Sequence, residues 1–558
     1  MNAVLQRAHT TLEDKYTAPS GWHYMTGMQA LVRLPLQQRA RDSAAGWNTG
    51  GYISGYRGSP MGRYDMELWA AEKALKAANV VFRSGLNEDL AATAIWGAQY
   101  VGTFPGAKVD GVFGIWYGKG PGVDRSGDVL RHANLAGTSP QGGVLCLAGD
   151  DHGAKSSTVA NFSDGIFMAV GIPVLYPSNT QEVLDYGLHG LAMSRYSGCW
   201  VGMKVVTDVV EGGGSVYVAP DSPAITLPPV PTAPADAFGS GYHIRGFDMA
   251  LAQEDRLYHH KHQAVMAYIR ANGLNHITWD AGAAARIGVV SAGKSWQDTL
   301  QALAGLGIDE ARARALHLRL LKVGAIWPLD PDIVRQFAQG LDTIIVVEEK
   351  RPVLEDQIRA ILYGTASAPR LIGKHVGSGV FEAQRGPMAF PNAAELSPTL
   401  VAKVLSDVLR AALPDCGLHV PELPAAQGPT PGVPMRVPSF CSGCPHNRST
   451  RVVDGSRALA GIGCHTMAML MDPKKTTTTS HMGAEGVMWL GQQPFTHEPH
   501  VFANIGDGTY AHSGFLALRQ AIAAQVPITY KILYNGFVSM TGGQQVEGNQ
   551  TPAQIVAS

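Results

Sequence analysis

Two runs decide the fold: Val501-Phe-Ala-Asn-Ile-Gly-Asp-Gly508 and, after a helical stretch, Pro527-Ile-Thr-Tyr-Lys-Ile-Leu-Tyr-Asn535. Each reads as a buried strand, the first ending in a tight Gly-Asp-Gly turn, with a helix over 514–524 as the crossover. In a right-handed βαβ unit both strand ends reach the same sheet edge, where ligands bind. Asp507 and Asn535 brought together there suit octahedral Mg²⁺, which keeps coordination positions for diphosphate oxygens. Gly506 and Gly508 let backbone N–H groups approach such oxygens. Taken alone, Gly-Asp-Gly is also an ordinary turn; the paired Asn535 is what favours the metal reading.

Upstream stand Cys441-Ser-Gly-Cys444 and Gly461-Ile-Gly-Cys464. Cys441 and Cys444 have the spacing of iron–sulfur or zinc ligands, and Cys464 is a third candidate. Cys-x-x-Cys also serves redox dithiols, so spacing leaves the metal open. No fourth cysteine follows Cys464. Cys146 and Cys199 read as core residues, and Cys416 falls in a linker. Six cysteines in 558 residues are no disulfide framework.

Length alone implies several domains. Lys and Arg number 44 against 45 Asp and Glu, a net charge of −1, which excludes a basic nucleic-acid surface or a polybasic membrane anchor. No apolar stretch is long enough to span a bilayer, and 1–15 has no signal-peptide core, so the expected compartment is the cytoplasm. With 65 Gly, 34 Pro and 45% hydrophobic residues the chain reads as a loop-rich α/β protein.

From Met25 to Val218 short apolar runs alternate with helical patterns. Strands are expected at 50–56, 109–116, 143–148, 172–176 and 201–206, with helices at 70–78 and 90–101. Such alternation predicts parallel sheets covered by helices on both faces. A Pro-rich linker starts at Ala219, and 235–280 reads as a mostly helical connection. A second α/β unit carries strands at 287–294, 316–323 and 343–349. A second Pro-rich linker, 414–438, leads to the cysteine-bearing unit. Thr476–Thr479 is the only low-complexity tract.

Other candidates are weaker by themselves. Glu88, ahead of an Ala-rich helix, has a bland reading as an N-terminal acid favoured by the helix dipole. Tyr56-Arg-Gly-Ser-Pro60, Lys119-Gly-Pro-Gly122 and Asp150-Asp-His-Gly153 follow strands and read equally well as loops. His481 and His512 flank the Gly-Asp-Gly turn region.

In order, these segments resemble the 2-oxoacid:ferredoxin oxidoreductases, most closely the long fused indolepyruvate (arylpyruvate) type. The likeness runs from about Tyr24 onward. It is carried by Ser54-Gly-Tyr-Arg-Gly-Ser-Pro60, Asn87-Glu-Asp-Leu-Ala-Ala-Thr93, Ala148-Gly-Asp-Asp-His-Gly153, Ile172-Pro-Val-Leu-Tyr-Pro-Ser178, Phe440-Cys-Ser-Gly-Cys-Pro-His-Asn447 and Met540-Thr-Gly-Gly-Gln544. The resemblance implies a multidomain thiamin-diphosphate-enzyme architecture. A pyrimidine-binding domain would occupy 1–218, a linker and connection 219–280, and a transketolase-C-like domain 281–410. A linker over 411–438 and a diphosphate-binding domain over 439–558 would follow.

It also implies residue roles. Asp507, Asn535 and the carbonyl of Phe537 would hold Mg²⁺ on thiamin diphosphate, with Gly506, Gly508 and Met482, Gly483 and Ala484 lining the cofactor. Glu88 would hydrogen-bond the aminopyrimidine and promote removal of the C2 proton. Tyr56, Arg57, Gly58, Ser59 and Pro60 would face the substrate. Cys441, Cys444 and Cys464 would hold a [4Fe-4S] cluster. The implied activity is oxidative decarboxylation of an aromatic 2-oxoacid such as indolepyruvate to its acyl-coenzyme A, with electrons passing to ferredoxin. The family pattern departs here in one respect. Its fourth cluster ligand, the rest of the diphosphate domain and a further gamma-type domain lie beyond position 558. The chain therefore reads as a front half working as a homodimer or with a polypeptide that supplies the remainder. Two other readings follow: a non-catalytic partner-binding chain, and a non-oxidative 2-oxoacid decarboxylase, against which the three cysteines speak.

Overall fold

The computed structural model describes residues 11–232, 235, 239, 241–374, 389–419, 438–471, 475–548 and 550–558. Most of the expected second linker lies outside the described residues. The chain divides into two compact units, one of residues 1–83 with 88–423, the other of 84–87 with 424–558.

The strands of the first unit begin with β1 (Gly21–Thr26), β2 (Gly50–Gly55), β3 (Val80–Phe82), β4 (Val112–Lys119), β5 (Val144–Asp150), β6 (Val174–Leu175) and β7 (Val201–Val206). They continue with β8 (Gly213–Val218), β9 (Asn275–Asp280), β10 (Ile287–Ala292), β11 (Leu318–Val323), β12 (Ala325–Trp327), β13 (Thr343–Val347) and β14 (Arg370–Ile372). Seven form one sheet in the order β12-β6-β7-β5-β4-β2-β3, parallel except at β12. Five form a second sheet, β14-β13-β10-β11-β9, with only β9 antiparallel. β5 and β7 are buried along their whole length, as strands covered on both faces must be. One covering helix, Thr180–Ser197, starts where the Asn179 side chain accepts the Glu182 N–H and stops at left-handed Gly198.

The expected first two domains are one packed body. Alternate residues of β10 and β11 point to different cores. Val290, Leu321 and Val323 join the core of the first sheet, whereas Val289, Leu318 and Leu320 pack with helix Pro398–Ala412 on the far side. β12 goes further and pairs antiparallel with β6 at the edge of the first sheet.

Three expectations need correction. The connection over 235–280 is helical from Ala250 to Ala271 but ends in β9, whose Ile277 and Thr278 lie in a strand paired with β11. The strand expected from 109 starts at Val112, because Asp110 is spent on a turn that bonds Asn48 through both its N–H and its carboxylate. The helix expected over 70–78 is shorter, Glu72–Ala77, and follows a separate helix, Tyr64–Ala70, that was not expected. Cys146 and Cys199 are buried as expected, and Cys416 is half-buried.

His189 shows how this core depends on pH. Its Nδ1 lies 3.0 Å from the Tyr268 hydroxyl, and burial, then the Arg41 charge, push its pKa down to about 4. The fold thus favours the neutral ring, whereas the unfolded chain protonates near 6.5. The stabilisation is complete above that value and is lost as pH falls toward 4, by at most about 3 kcal/mol. Urea unfolding at pH 7 and pH 5 should show a smaller loss for His189→Gln than for the parent chain.

The second unit holds β15 (Ala458–Ala460), β16 (Thr476–Thr479), β17 (Val501–Gly506) and β18 (Ile528–Leu533). They form an all-parallel sheet in the order β16-β15-β17-β18. The threonine tract is thus an edge strand, in keeping with its β-branched side chains. Phe495, Leu516, Ile522 and Val556 stand exposed on this unit. Among the described residues no helix is long and apolar enough to cross a membrane.

Candidate active site

β17 and β18 pair in register from Val501 with Ile528 to Gly506 with Leu533, so Asp507 and the Tyr534–Asn535 turn emerge at one edge. Asp507 is buried and its carboxylate organises the turn. One oxygen accepts the N–H groups of Asn535 at 3.0 Å and Gly536 at 2.6 Å, and the other accepts Gly508 N–H at 3.0 Å. The Asn535 amide oxygen takes Phe537 N–H at 2.9 Å, and its nitrogen donates to Ser539 Oγ at 2.9 Å. Oδ2 already accepts two of these bonds, whereas Oδ1 accepts one and keeps an acceptor site.

A cavity of about 300 Å³ opens beside Asp507 and is lined by Tyr510, Tyr534, Gly536 and Glu547 among others. A Cβ built on Gly506 or Gly536 would meet nothing within 4 Å, so the backbone there lies open to a bulky group. Carboxylate, amide oxygen and backbone carbonyl are the hard donors Mg²⁺ takes. These residues fit a metal-bound diphosphate.

Met482, Gly483 and Ala484 form a turn whose Ala484 N–H returns to the His481 carbonyl at 3.2 Å. Gly483 sits at φ +94° hard against Ser513, where no side chain fits.

The cysteines gather loosely. Cys444 N–H bonds the Cys441 carbonyl at 3.0 Å in a tight turn. Burial, followed by the charges of Cys444 and Cys441, pushes the Cys464 thiol up, so the three are within electrostatic reach. His446, just after Cys444, feels the Asp507 charge, which opposes the lowering of its pKa by burial. Among the described residues, no three His, Cys, Asp or Glu side chains stand close enough together to grip a metal.

The remaining candidates lie in the first unit. Glu88 opens helix Glu88–Ala98 and is buried. Its carbonyl accepts the Trp116 indole N–H at 2.9 Å. A Cβ at Gly122 would stand 2.8 Å from Glu88 Oε1, so that glycine makes room for the carboxylate. Tyr56, Arg57, Gly58, Ser59 and Pro60 follow β2. Arg57 is buried with its Nε 3.3 Å from Asp65 Oδ2, and its guanidinium lies 5.5 Å from the Tyr56 ring. Ser59 Oγ reaches Glu211 at 3.5 Å. Lys119 donates to the Ser156 carbonyl at 2.6 Å. Burial would raise Asp151, yet bonds from Ser156, Ser157 and Lys155 hold it low, fixing the loop after β5.

Sequence reasoning missed two features. Lys204, inside an apolar strand, is paired with Asp164 at 2.7 Å, both buried; a lysine in a run that is otherwise buried was the available signal. Glu485 is fully buried behind the Met482–Ala484 turn, and a lone acid in a glycine-rich turn announced nothing.

Residues 461–556, which hold this Asp and Asn pair, match the thiamine pyrophosphate enzyme C-terminal TPP-binding domain. Residues 277–416 match the indolepyruvate oxidoreductase domain. The chain is a relative of the indolepyruvate oxidoreductases. It is 24% identical over 554 residues to indolepyruvate oxidoreductase subunit IorA of Methanothermobacter thermautotrophicus, covering 96% of this chain and 79% of that one. The subunits of the same name from Pyrococcus abyssi and Thermococcus kodakarensis are each 26% identical, and the matches span 62% and 63% of their lengths. A solved 2-oxoglutarate:ferredoxin oxidoreductase from Magnetococcus marinus, with 2-oxoglutarate, coenzyme A and succinyl-CoA bound, covers 70% of this chain and 66% of its own. Its identity is 14% and its TM-score 0.47.

Proposed function

We propose that the chain is the thiamin-binding part of an oxidoreductase that decarboxylates an aromatic 2-oxoacid such as indolepyruvate. The product is the acyl-coenzyme A, and the electrons leave singly through an iron–sulfur cluster to ferredoxin. The observation that carries this reading is the convergence of Asp507 and Asn535 at one sheet edge, beside a cavity and open glycine backbone. Thiamin diphosphate, when bound, supplies the electron sink that decarboxylation of a 2-oxoacid requires.

The chain's own residues do the rest. Asp507, Asn535 and the Phe537 carbonyl would hold Mg²⁺, and Gly506, Gly508 and the Met482–Ala484 turn would receive the diphosphate and ring. Glu88 hydrogen-bonds the aminopyrimidine and moves its proton. The backbone and hydroxyl of the Tyr56–Pro60 turn orient the substrate, with Arg57 braced by Asp65. Cys441, Cys444 and Cys464 would supply cluster thiolates.

The test is an assay of the purified chain, alone and with extract from its host, for indolepyruvate-dependent reduction of a low-potential dye. Coenzyme A and thiamin diphosphate should both be required. Release of the aldehyde without dye reduction would instead establish a non-oxidative decarboxylase. No turnover in any combination, with thiamin diphosphate bound, would leave a binding subunit.

A further inference from the structure

Glu485 joins two segments that the proposed chemistry needs side by side. Its Oε2 accepts the N–H of Gly483 at 2.9 Å, and its Oε1 accepts the N–H of Ile462 at 3.3 Å. One carboxylate therefore holds the Met482–Ala484 turn and, through Gly461–Ile462, the loop that delivers Cys464. The approach is close: a Cβ on Gly461 would collide with the Glu485 side chain. Glu485 is itself fixed from β18, since the Tyr530 hydroxyl donates to its carbonyl at 2.9 Å. The Ile462 carbonyl in turn accepts the Thr509 hydroxyl at 3.2 Å, two residues beyond Asp507. The side chain is fully buried, and burial pushes its pKa up to about 7 against the pull of its N–H donors. A carboxyl kept in such a place at that cost has few partners to choose from.

We propose that Glu485 is a positioning residue that couples the thiamin-lining turn to the cysteine loop, so that occupancy of the cofactor site is felt at Cys464. This rests on the thiamin reading above. Glu485 touches no reacting atom. Filling the site presses on the Gly483 turn, the carboxylate carries that displacement to Ile462, and Cys464 follows two residues on. Removing the carboxylate leaves both segments folded on their own elements, β15 and the helix Met488–Gln492, but no longer joined.

The experiment is native alkylation of the full chain by iodoacetamide, with and without Mg²⁺ and thiamin diphosphate, followed by mass spectrometry of each cysteine. Half-buried Cys416, outside this site, serves as the internal reference. In the parent chain the cofactor should change the Cys464 rate by roughly five-fold or more, the range of ordinary inter-site coupling, and leave Cys416 unchanged. In Glu485→Ala that change should vanish although calorimetry still detects saturable cofactor binding. Glu485→Gln, which keeps one acceptor oxygen, should fall between, and it carries the test if the alanine variant is unfolded by circular dichroism. A cofactor effect on Cys464 that persists undiminished in both variants overturns the coupling, as does a parent chain that binds the cofactor with no effect on Cys464. A parent chain that fails to bind thiamin diphosphate at all overturns the thiamin reading itself, and the coupling with it.

Discussion

Asp507→Ala will abolish Mg²⁺-dependent binding of thiamin diphosphate. Loss of groups that merely support a metal ligand costs about 10–100-fold in affinity, and loss of a ligand itself should exceed that. Calorimetry at saturating Mg²⁺ measures it. Two effects add here. The substitution removes a hard oxygen donor, and it also strands the N–H groups of Gly508, Asn535 and Gly536. Each such bond to a charged acceptor contributes on the order of 1.5–3 kcal/mol, so the turn carrying Asn535 and Phe537 should loosen as well. Hydrogen exchange at those amides, compared without cofactor, separates the local loosening from the loss of the donor. Unchanged affinity would remove Asp507 from the metal site.

Glu88→Gln should act differently, leaving cofactor affinity within a few-fold while slowing C2 proton exchange by about two orders of magnitude or more, the usual worth of a positioned acid–base group. Glutamine has the same shape, so it still fits beside Gly122. The helix that Glu88 opens loses one favourable N-terminal charge, about 0.3–1 kcal/mol, too little to unfold a unit with this core. Deuterium exchange at C2, followed by quench and NMR, is the measurement. Exchange at the parental rate would show that Glu88 does not serve the pyrimidine.

The parts of the site that were legible share one property: they sit where a sheet strand stops, although the second of these strands is only half-buried rather than buried as its apolar run suggested. Val501–Gly506 ends at Asp507 and Ile528–Leu533 just before Asn535, and apolar runs with glycine stops state both position and side of the sheet. Glu485 was not legible because its worth depends on Ile462, more than twenty residues away, meeting it through a backbone amide. Lys204 and Asp164 are similar, since nothing local to β7 says that a carboxylate waits forty residues upstream. β9 was hidden by the helix before it, whose period extended naturally over the next residues. β12 was too short, at three residues, to announce a strand, and its partner belongs to another stretch of chain.

That short strand has a consequence for modularity. Ala325–Trp327 closes the free edge at Val174–Leu175, and a bare edge invites pairing with other chains. Severing the chain in the Pro-rich stretch after Val218 would therefore yield a front piece prone to aggregation and a rear piece carrying an orphaned strand. Recombination among such proteins should consequently inherit the first three-quarters as a block, its two sheets tied by a hydrogen-bonded seam.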